Sequence, residues 1–181
     1  VYMGHAAGQG AGGANSAAYN IGIGGYALLN VANGQVNNVA IGYEAARNNT
    51  SSNGVFIGYQ AGYTGDGAQN TFVGYQAGYN VAGTWNVIMG HQAGYDAGNV
   101  DYSVIIGHSA GRYNSGDRNI LIGQYAGYNP STDGTNNVFI GYSAGYNSDS
   151  TYGLYIGYDA GYYDTEIYNS FVEHFAGRKV T

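Results

Sequence analysis

"VFIGYQAGYTGDGAQNTFVGYQAGYN", residues 55–80, states one motif twice, sixteen residues apart. Each statement opens on a short apolar stretch, Val55-Phe56-Ile57 and then Phe72-Val73 behind Thr71, bounded by polar residues and glycine. Such β-branched and aromatic stretches read as short strands. A helix is poorly supported, because glycine is frequent and no apolar period of 3.6 is present. Outward from this segment the motif recurs over the whole chain. With the glycine of the IGY core as position 0, the anchors are Gly4, Gly24, Gly42, Gly58, Gly74, Gly90, Gly107, Gly123, Gly141 and Gly157, and Glu173 holds the place in an eleventh copy. Six of the ten spacings are sixteen and the others are 17, 18, 18 and 20, so the repeat is strong and continuous.

Each column has its own chemistry. Position −4 is Asn in seven copies, and −3 is mostly Val or Ile. Position −2 is large and apolar in most copies: Phe56, Phe72, Ile88, Ile105, Leu121, Phe139, Tyr155 and Phe171. Position −1 is Ile, Val or Met, +3 is Ala in all eleven copies, and +4 is Gly in nine. One or two short strands per sixteen residues at constant phase predict an all-β fold, a parallel β-solenoid of about eleven coils filling residues 1–181 as a single repeat domain. At about 4.8 Å per coil the rod would be about 50 Å long. The extra residues of longer copies are placed between +6 and −5, in polar segments such as "TGDGAQ", "NPSTDGTN" and "NSDSTY", where a surface loop tolerates insertion.

The apolar triplet forces a second expectation. In a strand, −3 and −1 face one way and −2 the other. A solenoid has one inside, so one apolar set must lie outside as a stripe that approaches or exceeds the few hundred Å² a monomer usually exposes. Alternation alone leaves open which face points inward. The expectation is a homo-oligomer, with the −2 column from Phe56 to Phe171 assigned to the interface.

Only 9% of residues are charged, against roughly 25% in ordinary domains, and the net charge is −6. Five Lys and Arg cannot form the electrostatic footprint of a nucleic-acid or anionic-membrane binder. No run approaches the ~18 apolar residues of a membrane helix. Without Cys, disulfides and thiolate metal sites are impossible. No signal peptide is visible, and Val1 already sits inside a repeat, which is expected of a segment or processed product of something longer.

Candidate chemistry is sparse. His5, His91, His108 and His174 all fall at +1, a column that elsewhere carries Tyr43, Tyr59, Tyr75, Tyr142 and Tyr158, apart from Gly25 and Gln124, so histidine reads as a planar substitute in a packed ladder rather than a metal ligand. Asp66, Asp117, Asp133 and Asp149 sit in loops at wandering phase and read as turn formers. Position +5 carries Tyr63, Tyr79, Tyr95, Arg112, Tyr128, Tyr146 and Tyr162, with Arg47 and Arg178 in the same column. Facing a neighbour it is an interface or stacking ladder, the favoured reading; facing outward it is a platform for sugar rings. Sequons occur only at Asn48 and Asn49. No nucleophile and base share a phase, and "GQGAGG" and "IGIGG" lack the context of phosphate- or dinucleotide-binding loops, so neither enzyme, metal nor cofactor is expected.

The segment "NNVAIGY", residues 37–43, resembles the head repeats of trimeric autotransporter adhesins, the YadA-like heads, and "VFIGYQAGYT" and "VFIGYSAGYN" resemble repeats of phage tail fibres. The coil here is longer than in those heads, and −2 is bulky where they carry alanine. The resemblance implies a left-handed β-roll, a trimer, and an attachment or shaft role on a cell surface or virion, with a surface glycan or protein as receptor. A subunit polymerising head to tail through open solenoid ends is the alternative, and a glycan-binding module using the +5 column is another.

Overall fold

The computed structural model describes residues 1–10, 19–30, 34–130 and 134–179. One strand per coil, from Tyr2–Met3 to Ser170–Val172, builds a single eleven-stranded sheet whose strands follow chain order. Every pairing is parallel and in register by column: Val55, Phe56 and Ile57 lie beside Thr71, Phe72 and Val73, which lie beside Val87, Ile88 and Met89. A second, short pairing joins Asn48–Asn49 to Thr64–Gly65. The chain is therefore the expected all-β parallel β-solenoid, with no helix among the described residues.

The interior belongs to the −2 and +3 columns. Phe56, Phe72, Ile88, Ile105, Leu121, Phe139 and Tyr155 are fully buried against the alanines of +3, from Ala27 to Ala160. This corrects the assignment of the −2 column to an oligomer interface. Those side chains are consumed by the chain's own core and cannot reach a second molecule; Phe171, in the last strand, packs partly buried against the same core. Strand parity then turns the −3 and −1 columns outward.

The −4 asparagines share the inward parity and satisfy backbone that the narrow coil would otherwise orphan. Asn38 Oδ1 accepts the Gly54 N–H at 2.8 Å while its Nδ2 donates to the Ser51 carbonyl at 2.9 Å. Asn119 accepts from Asn137 N–H at 2.8 Å and donates to the carbonyls of Gly116 and Gly134. Each amide thus ties successive coils in a region with little water, where an unmade bond is costly.

Corners are made by two successive tight turns. The +3 N–H donates to the anchor carbonyl, as from Ala27 to Gly24 at 3.3 Å, and in five coils the +5 N–H also donates to the +2 carbonyl, as from Arg47 to Glu44 at 3.2 Å. The third residue of each turn is left-handed. At +4 this falls on glycine in nine coils, but at +2 it falls on Ala6, Tyr26, Glu44, Gln60 and seven further non-glycine residues with φ of 51–60°. A second left-handed column lies at −5, from Tyr19 to Tyr168, with φ of 55–64°. Such residues are uncommon for L-amino acids. Stacking over-determines them: Gln76 N–H donates to the Tyr59 carbonyl, and Trp85 N–H to the Ala68 carbonyl, one coil earlier in each case.

The anchor glycines fit closest. Their φ of 128–140° is a conformation in which an added Cβ would point at the next coil's backbone. At Gly4 it would lie 2.6 Å from the Gly24 carbonyl oxygen, and at Gly90 2.5 Å from that of Gly107.

Positions −2 and +4 share one volume. Where −2 is bulky, +4 is glycine: a Cβ on Gly78 would sit 2.6 Å from the Phe72 ring, and one on Gly94 2.9 Å from Ile88. Where −2 shrinks, +4 grows. Gly22 is matched by Leu28 and Ala40 by Ala46, all of them buried.

Candidate interaction surface

The outward face of the eleven-stranded sheet is two apolar columns wide. Of its 22 positions, all but Thr71 and Ser170 are Val, Ile, Leu or Met. Ile21, Ile41, Ile57, Val87, Met89 and Ile120 are each 36–39% exposed, and the others in mid-rod are partly exposed. No charge interrupts these columns.

The +1 ladder borders this face. Tyr43, Tyr59, Tyr75, His91 and His108 stack nearly parallel with centroids 4.9–5.7 Å apart. At Gln124 the column breaks, Tyr125 bridges the gap edge-on, and stacking resumes through Tyr142, Tyr158 and His174. His91 and His108 lie ring on ring at 4.9 Å, in the place of stacked tyrosines. Among the described residues no group of three or more His, Cys, Asp or Glu is placed to hold a metal ion. On the other border, Trp85 stacks on Tyr102 with Arg118 over the same ring, and Tyr152 stacks on Tyr168.

The +5 column forms a second, half-buried ladder. Tyr63, Tyr79 and Tyr95 stack at 4.9 Å, Arg112 lies over Tyr95 at 5.2 Å and reaches the Tyr128 hydroxyl, and Tyr128, Tyr146 and Tyr162 continue at 4.8–5.1 Å. Arg47 covers Tyr63 at one end and Arg178 covers Tyr162 at the other. The ring faces that a sugar would need are taken by the neighbouring rings and guanidiniums. Beside this ladder, Gln60, Gln76 and Gln92 pass amide hydrogen bonds from coil to coil at 2.7–2.9 Å and end on the Glu44 carboxylate. In the sequence this ladder is marked only by the equal spacing of its glutamines at +2.

The loop aspartates differ in role. Asp117 accepts the Asp101 N–H and Asp101 the Thr84 N–H, so these two brace successive turns, whereas Asp66 is exposed and Asp133 lies outside the described residues. Of the two sequons, Asn49 is buried and Asn48 accepts a hydrogen bond from Asn30. Inside the coil the Tyr155 hydroxyl donates to Asp164 at 2.5 Å. Burial would raise the Asp164 carboxyl, but hydrogen bonds from Tyr155, Asn169 and Lys179 hold it below the usual range.

Burial pushes the hydroxyls of Tyr59, Tyr79 and Tyr146 above the ordinary phenolic value, and neighbouring ladder tyrosines add to the shift. Tyr162 is pushed up to about 12, and Tyr155 rises further through burial and its bond to Asp164. A folded-state value above the unfolded one, about 10, means the folded rod keeps protons that the unfolded chain releases. The stabilisation is then fully present below about pH 10 and is lost as pH rises through the raised values. The share of the phenolate absorbance that belongs to these five tyrosines should therefore lag the free-tyrosine curve above pH 10 and then rise steeply with loss of circular dichroism. Smooth titration near 10 with the fold intact would contradict this.

No protein-family model matches this chain, and neither a curated protein nor a solved structure is significantly similar to it, so what assigns it to a class is the β-solenoid itself.

Proposed function

We propose that the chain is a non-catalytic structural segment of an extracellular fibre, an adhesin head or tail-fibre shaft, that bundles with further copies of itself through the outward −3 and −1 columns. The observation that carries this reading is the uninterrupted apolar face. Twenty such side chains in two adjoining columns, six of them in mid-rod 36–39% exposed, form one continuous apolar stripe of the kind that monomers rarely leave uncovered and that marks an interaction surface. The face is uncharged and of one repeating composition, so a second copy offers a matching surface and sheets pack face to face about 10 Å apart. The motif resemblance favours three rods around one axis. The mechanism is mechanical: hydrogen bonds and ladders along each rod resist bending, packed faces hold the rods together, and loops remain free to vary or to meet a receptor.

Lysine at Ile57, Met89 and Ile122 together tests the reading. These side chains point away from the core, so circular dichroism and melting temperature should stay close to those of the parent. Light scattering coupled to gel filtration should show an oligomer for the parent and a monomer for the variant. A monomeric parent at micromolar concentration, or an unchanged mass in the triple variant, would refute it.

A further inference from the structure

We infer that Glu173 is a stop: it closes the C-terminal end of the stack to any further coil in this register and so prevents copies from joining head to tail. The backbone alone would allow the joint. Each coil donates anchor and +2 N–H groups to the −1 and +1 carbonyls of the coil before it, as Gly24 and Tyr26 do to Met3 and His5, and as Glu173 and Phe175 do to Ile156 and Tyr158. The N–H groups of Gly4 and Ala6 at one end, and the carbonyls of Val172 and His174 at the other, are the next members of that ladder. Open edges of this kind template association.

The anchor column decides whether they can meet. All ten anchors followed by another coil are glycine, and in each the Cβ direction runs into the backbone carbonyl of that next coil. Gly157, the last of them, aims at the carbonyl of Glu173. Glu173 keeps the same backbone conformation, with φ of 139°, yet carries a side chain. Its Cβ therefore occupies the place where the next anchor carbonyl would sit, and the joint to Gly4 of a second copy cannot close. Among the described residues no coil stacks on Glu173, so the strain of a side chain at this φ is met there without a backbone clash. Around it the last coil is tied backward: Arg178 pairs with Asp159 at 3.5 Å and Lys179 with Asp164 at 3.4 Å. This is edge protection by one residue, and it counts against the head-to-tail filament.

Two variants separate the Cβ from the charge. Glu173→Ala removes the carboxylate and keeps the Cβ; Glu173→Gly removes both. In negative-stain images and sedimentation, the parent and Glu173→Ala should remain rods of one unit length, about 50 Å. Glu173→Gly should give rods of two or more unit lengths that lengthen with concentration, with the Gly4 and Ala6 amides gaining exchange protection in step. Rod length is read along the axis, so lateral bundling does not confound it. End-to-end filaments of the parent, or equal lengths for the two variants, would overturn the inference.

Discussion

Alanine at Gly90 is expected to cost more than about 4 kcal/mol, a loss reserved for severe disruptions, and to part the rod between its sixth and seventh coils. Two terms act together. The backbone at φ +133° is a conformation that L side chains rarely adopt, which costs on the order of 1–3 kcal/mol. The new methyl would also lie 2.5 Å from the Gly107 carbonyl oxygen, so the coils must separate by about an ångström and stretch the hydrogen bonds on both flanks. A control lacks the close approach and lies in the left-handed well that non-glycine residues of this chain also occupy. Gly98 has φ +68° and its nearest atom, Ser115 Cβ, is 3.7 Å from an added Cβ, so alanine there should cost about 1–2 kcal/mol. Because a solenoid's stability is a sum of coil and neighbour terms, the damage at Gly90 should be local. Hydrogen exchange should show protection lost first at Val104–Ile106 and Val87–Met89, with the terminal coils following. Equal destabilisation at Gly90 and Gly98 in denaturant unfolding would show that the close approach of coils does not matter.

The anchor column was plain in the sequence, and with it the solenoid, because a glycine every sixteen residues beside an apolar triplet has few other readings. Parity was not, since both faces of the triplet are apolar. What decides it is a pair of columns taken together. Gly22 with Leu28 reverses the usual large-then-glycine order and Ala40 with Ala46 evens it out, and only residues sharing one enclosed volume trade size in this way. The outer columns carry β-branched residues of nearly constant size, as a sheet face does. The left-handed corners at −5 and +2 were illegible for a different reason. Trp85, Tyr102, Gln76 and Gln92 are not residues that signal φ > 0; their conformation is imposed by hydrogen bonds to the coil before, a long-range cause with no local signature. Glu173 was visible as an exception, but its meaning needed the Cβ directions of the ten glycines that precede it.

The shared volume of −2 and +4 gives the second large effect. Phe72→Ala should cost about 3–5 kcal/mol, since the ring is fully buried and lies 5.6 Å from the Phe56 ring, leaving a cavity that the stacked coils cannot collapse into. Gly78→Ala should cost about 2–4 kcal/mol, from left-handed φ and from a methyl 2.6 Å from the same ring. If the two positions were independent the double variant would lose the sum. The chain's own third coil, with Ala40 and Ala46, argues otherwise: alanine at both places is a working solution, and the methyl at +4 then enters space the ring has left. The double variant should be more stable than the sum by at least about 1 kcal/mol, within the coupling range of residues in contact. Pairing Phe72→Gly with Gly78→Leu, on the pattern of Gly22 and Leu28, should recover more still, because leucine from +4 refills most of the lost volume. Chemical denaturation of the singles and both doubles measures the coupling. A strictly additive result would mean that the two columns face different spaces, and the inward assignment of −2, on which the outward apolar face depends, would have to be abandoned.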